Sequence, residues 1–264
     1  MLQNFGRVIE FMTAGMNFSS EKFAIEGTIP FDDDMLPNES EIRIYNLSDQ
    51  TLSRIKRGEV AMVNAGYRGD VGVIMHGWIS RVSTQWEGVD KITTINVLDS
   101  EDLSKREVKE AAYAKGTLAS YIIKDLAGVI GMPIAQLELV KDVRYSEGYT
   151  VNGKATDLIA DIAKECETSA FINRGKLHVR SLRRIAGSEL FALSSKTGLI
   201  GTPSPFEEEG AKGYELTSQL QYRITTASGI DLTSSVFNGR LYVRKGTHTF
   251  SRDGDFTTSV EAIL

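Results

Sequence analysis

The sequence is poor in the groups that usually carry chemistry. Cys166 is the only cysteine, so an internal disulfide or a multi-cysteine metal site is excluded, and a reducing compartment of synthesis is the natural fit. The three histidines, His76, His178 and His248, each fall in a strand-like run. No two of them have the spacing of a helical or hairpin metal pair, so each is expected to be an ordinary sheet residue. A basic excess is also missing: 30 Lys and Arg against 35 Asp and Glu give a net charge of −5, which disfavours a dedicated grip on DNA or an anionic membrane. The opening "MLQNFGRVIEFMTAG" has Arg7 and Glu10 where a signal peptide needs an apolar run. No uncharged apolar stretch reaches the roughly 18 residues of a membrane span. The expectation is a protein neither exported by a classical signal nor inserted in a membrane.

What is present reads as folded structure nearly end to end, because 41% hydrophobic and 25% charged residues match ordinary globular composition, and the length allows two or three compact units. Between residues 5 and 98, "RVIEFMTA", "KFAIEGTIPF", "EIRIYNL", "EVAMVNAGY", "VGVIMHGWISRVS" and "KITTINVLD" are short β-rich runs separated by turn-rich segments. Six strands in so short a span suggest a barrel or sandwich. Within them, Ser48 is placed to cap a short helix running from Asp49 toward Arg57, with Leu47 and Leu52 as a staple, Leu52 and Ile55 as anchors and Gly58 as the stop.

From about residue 103 the period changes. "EVKEAAYAKGTLASYIIKDLAGVIGM" reads as a helix with Leu118, Tyr121, Ile122, Asp125, Leu126 and Val129 on one stripe, ended by Gly131 and Pro133. "KATDLIADIAKECE" is a second helix with Leu158, Ile159, Ile162, Ala163 and Cys166 on one face. "SAFINRGKLHVRSL" then reads as a hairpin turning at "NRGK". After 186 the β-pattern returns in "KGYELTSQLQYRI", "GIDLTSS", "GRLYVRKGTHTF" and "DFTTSVEAIL". The layouts of 79–97 and 242–260 are alike, with Ile92-Thr93-Thr94 echoing Phe256-Thr257-Thr258, which raises internal duplication of a β-unit as one of two open readings, chance being the other.

Each motif that suggests chemistry has a plainer reading. Gly148, Gly153 and Lys154 have phosphate-loop spacing, but Ala155 stands where the magnesium-binding hydroxyl is needed, so Asn152-Gly153 is expected to be a turn entering the second helix. Cys166 is expected to pack as a small hydrophobe. The acidic runs "FDDDMLPNE" (31–39) and "FEEEG" (206–210) lack calcium-loop alternation and read as solvated hairpin tips. No serine elbow occurs, and Ser194-Ser195-Lys196 lacks Ser-x-x-Lys spacing. The expectation is no catalytic, cofactor-binding or metal site and no enzyme activity.

The stretch "EIRIYNLSDQTLSRIKRGEVAMVNAGYRGDVGVIMHGWISRV" (41–82) resembles the first β-domain of bacteriophage baseplate and tail hub proteins. The runs "LSSKTGLIGTPSPFEEEGAKGYELTSQLQYRI" and "NGRLYVRKGTHTFSRDGDFTTSVEA" (193–262) are similar to their second, and the middle helices and hairpin resemble the unit inserted between. The resemblance covers nearly the whole chain and implies a mainly β protein: two tail-tube-like antiparallel β-barrel domains, 1–102 and 186–264, flanking a small α+β domain, 103–185. It further implies a structural protein of the virion tail or baseplate, made in the bacterial host cytoplasm. Three copies would form a pseudo-six-fold ring joining the tail tube to a spike or tip, bound to other baseplate proteins, with DNA passing through the channel without specific binding. Related hubs occur in bacteriocins and type VI secretion spikes, so a contractile injection system other than a phage is also open. Larger relatives carry further domains. Rival readings are a cell-wall-degrading tail component and a monomeric receptor- or glycan-binding tip module.

Overall fold

The computed structural model of the chain describes residues 6–100, 106–185, 189–208 and 211–264. The amino-terminal part supplies β1 (Arg7–Thr13), β2 (Met16–Ser19), β3 (Ile25–Phe31), β4 (Glu39–Tyr45), α1 (Asp49–Leu52), β5 (Val60–Tyr67), β6 (Asp70–Glu87) and β7 (Asp90–Leu98). The middle carries β8 (Glu107–Tyr113), β9 (Thr117–Leu118), α2 (Ala119–Ile130), β10 (Ile134–Glu138), β11 (Arg144–Tyr145), β12 (Tyr149–Lys154), α3 (Ala155–Glu165), β13 (Ser169–Asn173) and β14 (Lys176–Arg180). The carboxy-terminal part adds β15 (Leu190–Ser194), β16 (Leu199–Glu208), β17 (Ala211–Gln219), β18 (Gly229–Thr233), β19 (Asn238–Ser251) and β20 (Phe256–Ile263).

The expected pair of β-barrels is not what these strands build. All strands of the two ends join one 13-stranded sheet, whose main path runs β16-β17-β20-β19-β3-β4-β7-β6-β5-β1-β2 and stays open, with β18 and β15 branching from β19. A barrel needs its first and last strands to bond each other. Here β3 gives its second edge to β19 rather than back to β1 or β2, and among the described residues β16 has β17 as its one neighbour. The mainly β character stands; closure does not.

Alternation explains the long sheet. β20 buries every second residue, Phe256, Thr258, Val260 and Ala262, and β4 does the same with Ser40, Ile42 and Ile44. Burying each such Ile, Val or Phe contributes roughly 1.5–3 kcal/mol before the entropy of ordering is charged against it. Three large apolar clusters result, one under β1–β7, one under β15–β20, and one in the middle segment between α2, α3 and the small sheets, with a small fourth of Phe171, Leu182 and Ala227. The expected boundaries at 102/103 and 185/186 fall at or beside residues outside the described ones.

Two helix expectations are corrected. Residues 107–113 form strand β8, paired antiparallel with β12, so α2 starts only at Ala119. Its buried face is Ala119, Ile122, Ile123, Leu126, Ala127 and Ile130, while Tyr121 and Val129 of the expected stripe are exposed. Asp142 caps its start from a distance, accepting from Ser120 N at 3.0 Å, and Gly131 ends it at φ +68°. α1 is one turn rather than two. Ser48 caps it as expected, accepting from Thr51 N at 3.2 Å. Arg54 N and Ile55 N then bond back three residues, to Thr51 O and Leu52 O, and this tighter turn swings Ile55 into the core. In the hairpin β13–β14, Arg174 and Gly175 both have positive φ, as a type I′ turn requires.

Candidate functional site

β3 is where the amino- and carboxy-terminal strands meet. One edge bonds β4, and the other bonds β19 from Gly246 opposite Phe31 to Ser251 opposite Glu26. Two glycines let rings lie directly on this seam. A Cβ on Gly27 would stand 2.7 Å from Phe250 Cζ, and one on Gly246 would stand 2.6 Å from Phe31 Cζ. Side chains fasten the same junction: Arg7 donates to Ser251 O and Gly254 O and lies over the Phe256 ring, while Tyr67 meets that ring edge-on at 5.3 Å. Further along, Tyr222 fills the space left by Gly72 and donates to Asp70 at 3.1 Å, and Arg223 clamps the same carboxylate and holds its pKa below the ordinary range.

The loop 32–38 after β3, read from sequence as a solvated tip, is exposed at Asp34 and Leu36 but otherwise plugs against the middle and carboxy-terminal segments. Thr226 Oγ1 donates to Asp32 O at 2.8 Å, Ile172 N donates to Asp34 O at 3.1 Å, and Arg244 pairs with Asp33 at 3.3 Å. Met35 is buried in the middle cluster. Three consecutive aspartates look hydrophilic in sequence, but here they ride on a loop whose Met35 enters the middle cluster and whose backbone and side chains are held by the middle and carboxy-terminal segments. Burial is the main reason that Asp32 is pushed up to about 6 and Asp99 to about 7, the two sharing Asn38 as a donor. In the other acidic run, Glu207 pairs with Lys212 on the β16–β17 hairpin, and Glu209 and Gly210 lie outside the described residues.

The two ends of the chain repeat one another. The strand order β3-β4-β7-β6-β5-β1 at the amino end recurs as β16-β17-β20-β19-β18-β15 at the carboxy end, with sequence order preserved. Both long hairpins carry a bulge at one place, between Ile79 and Arg81 in β6 and between Val243 and Lys245 in β19. Even a loop bond recurs: Asn46 N donates to Lys91 O at 2.7 Å, and Leu220 N donates to Phe256 O at 3.0 Å. Aligned on the bulges, buried Thr93 corresponds to buried Thr258, so the Thr-Thr echo was in the right hairpins but one residue out of register. One difference is directional, since β1 runs antiparallel to β5 whereas β15 runs parallel to β18.

The remaining sequence candidates are dispersed. His248 is buried in the seam with Nδ1 2.9 Å from Thr258 Oγ1, and burial depresses its pKa to about 3. His178 stacks on Phe171 at 5.2 Å and is lowered to about 4, chiefly by burial. His76 lies edge-on to Trp78 at 6.0 Å. Cys166 is buried at the end of α3, its thiol pushed up by burial. Gly153 and Lys154 belong to β12, not to a turn, and β12 pairs antiparallel with β8, which is not the parallel strand that feeds a phosphate loop. Among the described residues no group of three or more His, Cys, Asp or Glu side chains is placed to hold a metal ion. No helix of the described residues is long and apolar enough to cross a membrane.

No protein-family model and no curated protein sequence matches the chain. Solved structures do. A prophage MuSo2 tail protein from Shewanella oneidensis superposes with a TM-score of 0.70 at 8% identity, covering 97% of this chain and 98% of that one. The fold is that of phage-type tail proteins. A tail protein from Neisseria meningitidis MC58 gives 0.69 at 9% identity, covering 98% and 97% of the two chains. The E. coli c3393 protein, a type VI secretion component described as structurally similar to the T4 tail proteins gp27 and gp5, gives 0.62 at 9% identity over 96% of this chain and 76% of that one. At such identities the likeness is one of fold, and it spans the amino-terminal, middle and carboxy-terminal segments together.

Proposed function

We propose that the chain is a structural hub protein of a phage tail baseplate or a related injection device, in which three copies form a pseudo-six-fold ring joining a six-fold tail tube to a three-fold spike or tip. The observation that carries this reading is the repeated strand order with its shared bulge. A chain containing two equivalent β-units, 1–102 and 186–264, lets three subunits offer six similar faces, and the segment 103–185 decorates the ring with three-fold symmetry. The fold likeness to tail proteins supports the setting.

The net charge of −5 suits a conduit whose cargo is a polyanion, because a wall that repels phosphate lets DNA slide without being held. On this reading the protein works by assembly and passage in the virion tail, with the tube protein, the spike and other baseplate proteins as partners, and it performs no catalysis. Sedimentation equilibrium over a wide concentration range tests the stoichiometry. Three chains per particle is the expected result; a monomer at all concentrations, with specific retention on a glycan surface, would favour the tip-module alternative, and peptidoglycan cleavage by the purified protein would favour the hydrolase.

A further inference from the structure

The internal seam is a template for a second seam that a single chain leaves unmade. β19 bonds β18 along its first half and β3 along its second, so each half has a strand partner on this edge. The equivalent strand, β6, bonds β5 along its first half, but from Arg81 to Glu87 its outer edge faces no strand among the described residues. The counterpart of β3 is β16, whose outer edge is likewise unbonded among the described residues. Aligning the bulges places Trp86 at the position of Phe250. Phe250 is 0% exposed in the internal seam, whereas Trp86 is 69% exposed. The ring that corresponds to a fully buried anchor therefore stands in water in the isolated chain.

We infer that the outer half of β6 in one copy of the chain takes the free edge of β16 from a second copy, antiparallel and in the register of the β3–β19 seam. This rests on the ring reading above and names its contact. Carrying the internal pairs across, Thr249 opposite Thr28 becomes Gln85 opposite Ser204, and Ser251 opposite Glu26 becomes Glu87 opposite Ile200. Trp86 then lies over the segment 201–203, where β16 departs from regular pairing with β17 and where a Cβ on Gly201 would meet nothing within 4 Å. That open stretch replaces Gly27, the residue on which Phe250 rests, and its extra residues give room for the larger indole.

Charge agrees with the pairing. In the internal seam Lys245 lines the same cleft as Asp32. Its counterpart Arg81 is brought toward Glu207 and Glu208 of the second copy, a basic group meeting an acidic strand end. Pro203 and Pro205 leave gaps in the donor row of β16, yet Pro30 does so in β3 and still sits opposite Thr247 in an unbroken ladder. The contact joins unlike surfaces head to tail, so it propagates from copy to copy and closes when the rotation permits. Both open edges are covered in doing so.

The test pairs two engineered cysteines, Gln85→Cys with Ser204→Cys, in the full chain, whose natural Cys166 is buried. Mild oxidation is expected to give disulfide-linked dimers and closed trimers on a non-reducing gel, and neither single variant should do so. In parallel, Trp86→Ala is expected to raise the concentration at which the assembly dissociates by at least about 30-fold, as loss of a buried interface anchor does, while the monomer's circular dichroism is unchanged. Trimers that form without the cross-link, or that persist undiminished in Trp86→Ala, overturn this seam and leave the ring reading standing. Absence of any trimer in the unmodified protein overturns both.

Discussion

The two ends of the chain have one strand order and opposite fates at their edges. In the carboxy-terminal set, the outer half of β19 is paired with β3 and Phe250 is sealed beneath Gly27; in the amino-terminal set, the matching edge of β6 faces no strand among the described residues and Trp86 is exposed. The difference is one of neighbours, since the two hairpins share their strand order and their bulge but only the outer half of β19 has a second strand to bury it. It teaches that an exposed aromatic can be read by asking what its internal counterpart touches. A surface tryptophan considered singly needs no explanation, but one that matches a buried anchor implies a missing partner.

The comparison is broken most forcefully at the anchors. Phe250→Ala should cost the folded monomer about 3–5 kcal/mol, the range for removing a buried phenylalanine, whereas Trp86→Ala should change monomer stability by less than about 0.5 kcal/mol. Urea melts at a concentration where the chain is monomeric separate the two; equal losses would mean that the positions are not equivalent. The glycines come next. Gly27→Ala drives a methyl group against Phe250 and the Glu41 carbonyl and should cost about 1–3 kcal/mol. Gly201→Ala meets open space and should cost about 1 kcal/mol, from its φ of +70° alone.

A smaller effect tests the plug of residues 32–38. Asp99 is raised from 3.8 to about 7, so between those values the folded protein holds a proton that the unfolded chain has released. Stability from this group is therefore lost as pH rises from about 4 to about 7. Asp99→Asn keeps an acceptor for Asn38 N and should remove that slope, leaving the protein roughly 1–2 kcal/mol more stable than wild type at pH 8 after solvent screening. Thermal melts across that range check the sign; an unchanged slope would place the proton elsewhere. Smallest of all, Asp70→Asn should cost under about 1 kcal/mol through Arg223 and Tyr222, and less at high salt.

Most strands of β1–β7 and β17–β20 and the hairpin β13–β14 were legible from alternation and turn residues, whereas β8 read as helix, β12 as a turn, and β9, β10, β11, β15 and β16 left no clear pattern; α3 was legible because its apolar spacing matches its buried face. α2 was misphased. Tyr121, Asp125 and Val129 are spaced for a stripe, but Ile123, Ala127 and Ile130 are the ones covered, and the choice between two adjacent apolar faces is made by α3 and the small sheets rather than by α2. Closure into barrels was the largest misreading, because nothing within "IEGTIPF" says whether the free edge of β3 returns to β1 or receives β19. The plug was hidden for a related reason: an Asp-Asp-Asp run has the composition of a solvated tip, and only tertiary partners such as Arg244 and Thr226 reveal its burial. The repeat was visible as an echo, one residue out of register, since a bulge leaves no mark in composition.

Equivalence of the two β-units is tested most directly by the rotational symmetry of the assembly viewed end-on by electron microscopy. Averaged particles are predicted to show a strong six-fold component in the inner ring and a three-fold component outside it, where the proposed ring would carry its middle segments. An inner ring with only three-fold or two-fold power would mean that the two ends of the chain do not occupy equivalent places, and would contradict the account.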